Sequence, residues 1–464
     1  MNSERRVSLT RICVLFLATL GWARTQKAVT PTAKECGPQN YCARTDRRVA
    51  PYQKTAPNIG PAGSIIHDPD FESRILRVTD ANSDPNGMGR SLMTPSSAEQ
   101  NAWNADSSRF YVETPGGQFV LYEFDPVSLK VRKGGVIKAP WWAEPEFSYT
   151  RRDILYGIRR IDPAFQEYDV SNGRVTLVHK ISDCAKLGPR DFGFDPGVSA
   201  DDRRLSAVLG PEQDRNFLVY VYDRKRGCRW YNTQTGEIGG QWGPKGTISS
   251  PDRYSVHNIR ISKSGDFVWI QRGASRVGRN WLVWTVDTMN VVACSTLCSG
   301  HHAMGYSHLV GPSGEKHPLD LLLRPLNQLA AVTPLVAELG AQPSVAYWYD
   351  QHFSWNNADP EDKNPVCLST YSVNNPDHPG APLEALAPWQ NEILCVETDG
   401  EDSKVWRFAH TYSTAKNGFW STPRGNVSQD GRFFLYTSDW QDQLGARPRN
   451  RRGYRIDVFV VELR

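Results

Sequence analysis

Apolar residues along this chain gather in short aromatic-rich runs, each opened by a turn-forming cluster of Asp, Gly, Ser and Asn. The clearest copy is SQDGRFFLYTS from Ser428, in which a tight Asp-Gly turn leads into an apolar strand. The same shape recurs as NADSSRFYVET from Asn104, SYTRRDILYGI from Ser148, SADDRRLSAVL from Ser199 and SKSGDFVWIQR from Ser262. Weaker copies are GPSGEKHPLDLLL from Gly311 and NADPEDKNPVCLS from Asn357. With the turns marked at Asp106, Asp153, Asp202, Gly265, Gly314, Asp362 and Asp430, successive marks lie 47, 49, 63, 49, 48 and 68 residues apart. A unit of that length holds four short strands, which is one propeller blade. The runs FVLYEFD from Phe119, FLVYVYD from Phe217 and WLVWTVD from Trp281 read as third strands. The pattern predicts an all-β, seven-bladed β-propeller.

The chain ends complete the prediction. After the last turn only FFLYTS and RIDVFVVEL from Arg455 remain, so the seventh blade is one strand short. The spare strand SRILRVTD from Ser73 would fill that place and remove two open sheet edges. Residues 61–464 are thus assigned to the propeller, and residues 24–60, rich in Pro, Lys and Arg, to an extended arm. The apolar stretch Pro318–Leu339 is interrupted by Asp320, Arg324, Pro325 and Pro334; it reads as the middle strands of the fifth blade and not as a membrane span.

Residues 1–23 read as a signal peptide. Arg5, Arg6 and Arg11 precede an apolar stretch from Ile12 to Gly21, and Gly21-Trp22-Ala23 offers a cleavage site. The expectation is a secreted or periplasmic protein with no transmembrane segment after signal removal. Without those residues the charge is 51 Lys and Arg against 49 Asp and Glu, too balanced for a nucleic-acid-binding footprint. Removing Cys13 also turns nine cysteines into eight, an even number that suits disulfides in an exported chain. Cys36 with Cys42, Cys294 with Cys298, Cys184 with Cys228 and Cys367 with Cys395 are the candidate pairs.

The S-x-D-G-R-F turns and the RVTD strand resemble the blades of TolB-like propellers, similar in style to WD repeats, over roughly residues 64–464. This resemblance implies the fold; propellers of this kind host binding proteins, peptidase partners and lyases alike.

If each repeat begins with its innermost strand, then with strands of roughly five residues, reading back about six to ten residues from each turn reaches the axial opening. The polar residues met there are Gln100, Glu146, Asp191, His257, His308, His352 and Arg424, with Gln351 beside His352. Three imidazoles, His257, His308 and His352, with the Gln351 amide oxygen are a donor set for one divalent metal ion such as Mn, Zn or Ca. Trp142, Trp355 and Trp420 stand near the same positions, where they would stack on sugar rings or peptide side chains or else fill the core.

The order His257, His308, Gln351-His352 is similar to the oligogalacturonate lyases, seven-bladed propellers that hold a divalent metal axially through His and Gln. That resemblance implies β-elimination. The metal, held by His308, Gln351 and His352, would neutralise a uronate carboxylate, His257 would remove the adjacent proton, and Arg260 or Arg424 would clamp the carboxylate. The first expectation is a propeller binding a carbohydrate or peptide ligand at a polar axial pocket. The alternatives are a metal-dependent polysaccharide lyase and a scaffold for a cell-envelope protein partner.

Overall fold

The computed structural model describes residues 35–36, 39, 41–50, 55–248, 253–273, 281–294, 301–312, 321–336, 350–371, 388–400, 403–415, 418–445 and 455–464. The signal assignment, Cys298 and most of the arm's first half lie outside them. One compact unit spans Lys34–Arg464. It is an all-β, seven-bladed propeller. Within a blade the strands run antiparallel from the axis outward.

Six innermost strands position the axial side chains: Glu146–Phe147, Phe192–Val198, Val256–Ile261, Ala303–Met304, Asp350–Ser354 and Gly425–Val427. In the first blade, bridges from Met93 and Trp103 onto Arg109–Glu113 take that place. The long 63-residue interval has a local cause: the third blade carries an extra hairpin, Glu237–Gly240 with Gly246–Thr247, on its outer edge.

The seventh blade closes as its sequence requires. Strand Arg74–Arg77 pairs antiparallel with Asp457–Glu462, setting Leu76 opposite Val460 and Ile75 opposite Val461. Ile65–His67 then adds a further strand outside it. Arg77 reinforces this seam from within, donating to Asp457 Oδ2 at 2.6 Å and to the Gly60 and Leu444 carbonyls at 2.8 and 3.1 Å. Part of the arm is built into the same region. Tyr41, Ala43, Ala56 and Ile59 join one apolar cluster with Trp406, Phe408, Tyr436 and Phe459, and Tyr41 donates to the Gly431 carbonyl at 2.7 Å.

Hydrogen bonds pass from blade to blade around the whole ring. Asn104 donates to the Arg152 carbonyl at 3.0 Å and Ser148 to Asp202 at 2.5 Å. The Ala200 amide donates to Lys263 O and the Lys263 amide to Gly305 O, both at 2.8 Å. Tyr306 N donates to Asp362 Oδ1 at 2.6 Å, and Val427 N and Asp430 N donate to the Ser354 and Ser107 hydroxyls at 3.1 Å.

The fifth blade corrects the sequence reading. Its first turn is Gly305–Ser307, between Ala303–Met304 and His308–Pro312, and not at Gly314, which lies outside the described residues. The segment read as its middle strands supplies the third and outermost ones, Leu321–Pro325 and Thr333–Pro334. Disulfides join Cys184 to Cys228 and Cys367 to Cys395, as their spacing indicated. Cys42 and Cys294 are likewise disulfide-bonded. Among the described residues no helix is long and apolar enough to cross a membrane.

Arg77→Met should lower stability by about 3 kcal/mol, because it strips a buried carboxylate of one of its two guanidinium partners. Arg132→Met, which breaks only the exposed pair with Glu123, should cost less than about 1 kcal/mol. Urea denaturation of the two variants side by side measures the difference.

Candidate ligand-binding site at the propeller axis

Where the innermost strands begin, they leave a cavity of about 440 Å³. Its polar lining includes Glu99, Asp195, His257, Asn258, Arg260 and the pair His301–His302. His352 closes one side, and Phe419 with Trp420 form an aromatic edge. A second, much smaller void lies among Glu99, Glu146, Arg260, Lys263 and Asn356.

Two local irregularities aim side chains into the cavity. In Phe192–Val198 the pairing register slips between Phe194 and Gly197, and Asp195 there takes a φ of 47°. A bulge of this kind bends the strand and redirects a side chain, and Asp tolerates the left-handed region better than most residues. Val256–Ile261 slips in the same way between Val256 and Asn258, at His257. His301 and His302 precede Ala303–Met304 instead of lying on it, so strand alternation does not separate them and both border the cavity.

The floor is electrostatically tense. Burial pushes the Glu99 carboxyl up to about 7, against the pull of Arg260, His301 and Lys263. Burial likewise raises Asp195 to about 6, against Arg260 and His257. Glu99 Oε2 and Asp195 Oδ2 have no hydrogen-bond partner among the described residues, and neither do Arg260 Nε and Asn258 Oδ1. His302 lies 3.2 Å from Glu99 Oε2 without the geometry of a hydrogen bond, and packs at 3.6 Å, centroid to centroid, against Trp269. Burial, with Arg260 and His301 nearby, holds its pKa well below the ordinary histidine value, so the ring is neutral. His352 is depressed in the same way, by burial and then by His301.

His301 behaves differently. It is ringed by propeller atoms, yet 44% of its side chain faces the open cavity. Burial opposes its charge, and the Asp350 carboxylate 3.4 Å away outweighs that and raises its pKa. Lys263, burial-depressed to about 8, donates to the Tyr149 hydroxyl and, at 3.2 Å, to Asn356 Oδ1.

The aromatic edge is held from behind. Phe419 and Trp420 are 40% and 46% exposed, with ring centroids 5.3 Å apart. The buried Arg424 guanidinium lies 4.5 Å from one ring and 5.1 Å from the other, and donates to the Phe419 carbonyl.

Of the residues singled out in the sequence, His257, Arg260, His352 and Trp420 line this cavity, and Arg424 supports its edge. Glu146 lies deeper on the axis, accepting from the Val198 amide at 2.9 Å. Gln100 is a buried strut donating to the carbonyls of Glu144, Pro145 and Pro196. Asp191 lies outside the cavity lining, accepting from the Gly188 amide. Trp142 packs on Phe194 under the Arg160 guanidinium. Trp355, 1% exposed, belongs to the core of the fifth and sixth blades.

His308 is not brought to the axial cavity. It starts the second strand of its blade, and its Nδ1 lies 3.0 Å from Asp362 Oδ2. Gln351 and His352 are neighbours on one strand, which turns their side chains to opposite faces. The metal set His308, Gln351 and His352 therefore does not assemble. A grouping with ligand atoms within 4.8 Å of one another does occur at Asp68, Asp70 and His410 and could hold a metal ion. There, however, Asp68 already accepts from the amides of Asp70, Phe71 and His410 and from the Tyr412 hydroxyl.

Glu99, Asp195 and Phe419 were missed in the sequence. Glu99 lies one residue before Gln100, and the Pro196-Gly197 pair inside a strand was the available sign of a bulge.

Comparison with solved structures agrees with the fold. An oligogalacturonate lyase in complex with manganese superposes with a TM-score of 0.54 at 12% identity, covering 88% of this chain and 98% of that one. U3-55K gives 0.45 at 11% identity, covering 81% of this chain and 96% of that one. TolB from Acinetobacter baumannii gives 0.32 at 12%, covering 57% and 61%. No family model matches the chain, and no curated protein matches it.

Glu99 supplies a test of the floor. Its folded pKa, raised from 4.5 to about 7, gives a contribution fully present below about pH 4.5 and lost as pH rises through 7. The stability of Glu99→Gln relative to wild type should therefore grow by on the order of 2 kcal/mol between pH 4 and pH 8. Urea midpoints at the two pH values check it, and a constant difference would contradict the buried carboxyl.

Proposed function

We propose that this chain is an exported β-propeller that binds a carbohydrate in its axial cavity. The observation that carries the reading is the Phe419–Trp420 pair, exposed at the edge of a cavity whose other walls are polar. Sugars need that combination, since a ring's C–H face stacks on an aromatic surface while its hydroxyls take directional hydrogen bonds. Asn258 and Gln271 can both donate and accept, and neutral imidazoles at His302 and His352 do the same. A volume of about 440 Å³ suits a small oligosaccharide segment better than a folded partner. Disulfide bonding supports export to an oxidising compartment.

The lyase alternative has a fold in its favour and lacks the metal set on which it was framed, because His308 stands beside Asp362. The scaffold alternative has less: exposed Val127, Ile161, Leu177, Val292 and Val332 are spread over several blades.

Purified protein screened on an array of plant, fungal and bacterial oligosaccharides should retain at least one class. Trp420→Ala should weaken that binding about fivefold or more, through loss of the stacking face. Val127→Ala, on the outer surface, should leave it unchanged. Retention that ignores Trp420 would overturn the axial site.

A further inference from the structure

Among the described residues the axis of the ring is closed at one end. The cavity lies where the innermost strands begin, and three of those strands lead, at their other ends, to side chains that meet. Tyr149 stands two residues past Glu146–Phe147, Lys263 two past Val256–Ile261 and Asn356 two past Asp350–Ser354. Lys263 Nζ donates to the Tyr149 hydroxyl and, at 3.2 Å, to Asn356 Oδ1. The Tyr149 hydroxyl donates to that same oxygen at 3.3 Å, which closes the triangle. Side chains from the second, fourth and sixth blades can all touch one another only across the axis. Asn356 Nδ2 then reaches the first blade, donating to the Gln100 carbonyl at 3.2 Å.

Little space separates this plug from the cavity. Lys263 follows His257 by six residues, a rise of up to about 20 Å in a strand. Over that interval the axis holds a void of about 10 Å³, bordered by Glu99, Glu146, Arg260 and Lys263. Such a void has room for about one water molecule. A sugar ring cannot pass it.

The walls come from nearly every side. Ser97, Asp195, His257, His302, His352 and Trp420 border the cavity from the first, third, fourth, fifth, sixth and seventh blades. The aromatic edge is fixed in place, because the Thr422 hydroxyl donates to the Phe419 carbonyl at 2.7 Å beside the Arg424 guanidinium. Walls on six blades above a sealed floor make a socket with one mouth.

We propose that this socket receives the terminus of a carbohydrate chain and not an internal stretch of it. The proposal rests on the carbohydrate reading and names the part of the ligand that enters. An internal stretch continues at both ends, and each continuation needs its own exit. A tunnel or an open groove provides two exits; a socket provides one. A chain lying across the mouth would leave the polar walls below it unused. The volume agrees, since about 440 Å³ stands at the small end of ligand cavities and takes a terminal sugar or two.

The test is binding of the full chain to linear tetramers of xylose, mannose, β-1,3-linked glucose and galacturonic acid. Each tetramer is immobilised once through its reducing end and once through its non-reducing end. At least one display should be retained, and the retained orientation identifies which end enters. Free tetramer should displace the protein at least tenfold better than the soluble parent polysaccharide at equal sugar mass, since the polymer has far fewer ends. Calorimetry should show affinity changing less than twofold from tetramer to octamer, because sugars beyond the mouth meet no wall. Trp420→Ala should weaken both lengths alike. Polymer that competes as well as tetramer, or affinity that keeps rising with length, overturns chain-end capture; if Trp420→Ala still weakens binding, the carbohydrate reading stands. Retention of no tetramer in either display overturns both.

Discussion

Everything in this protein depends on one antiparallel seam, where a strand from near the N-terminus meets the C-terminal strand. A propeller distributes its apolar surface between blades, so no central core holds the ring if one junction opens. Ile75 and Leu76 opposite Val461 and Val460 make the seam apolar, and Arg77 locks it through Asp457. Asp68, in the loop between Ile65–His67 and Arg74–Arg77, adds a second latch through the His410 amide and Tyr412. The buried part of the arm covers the same region. Closure thus converts the ends of the chain, ordinarily its loosest parts, into interior structure.

Closure also creates the site. Once the ring is shut, the first residues of the innermost strands converge on an axis that no blade can fill alone. The bulges at Asp195 and His257 turn that convergence into a polar floor. Phe419 and Trp420, just before the innermost strand of the seventh blade, supply an aromatic edge from the far end of the sequence. Arg424 ties the edge to the chain beside the first blade, since its Nε donates to Pro95 O and its carbonyl accepts from the Thr94 hydroxyl.

The blades were legible because their signal is local: a turn with its own acceptor, then an apolar strand. Asp106, Asp201 and Asp430 each accept an amide two residues on within their own turns. The fifth blade breaks the rule for a physical reason. The amides of Tyr306, Ser307 and His308 are satisfied by Asp362 of the next blade, so Gly305–Ser307 needs no Asp and leaves no mark in the sequence. Counting back from Gly314 therefore stops at His308, at the start of the second strand, short of the axis. Arg260 and His257 were found because regular spacing leads to them. Glu99 and Asp195 were not, because one precedes its strand by loop geometry and the other is redirected by a bulge.

Placement of charge separates this cavity from a merely wet channel. A channel that only had to stay hydrated could leave its acids exposed or pair them, as Asp223 is paired with Arg204 at 3.0 Å. Here Arg260 reaches no carboxylate within ion-pair distance among the described residues, although Glu99, Glu144, Glu146 and Asp195 all raise its pKa against the effect of burial. Its Nη1 is turned to the Ile259 carbonyl instead, at 3.0 Å. Separated opposite charges around a cavity are costly in the free protein, because each is desolvated without a direct partner. Such strain persists where a ligand relieves it, and the two carboxyls that a local sequence pattern could not reveal stand at that cavity.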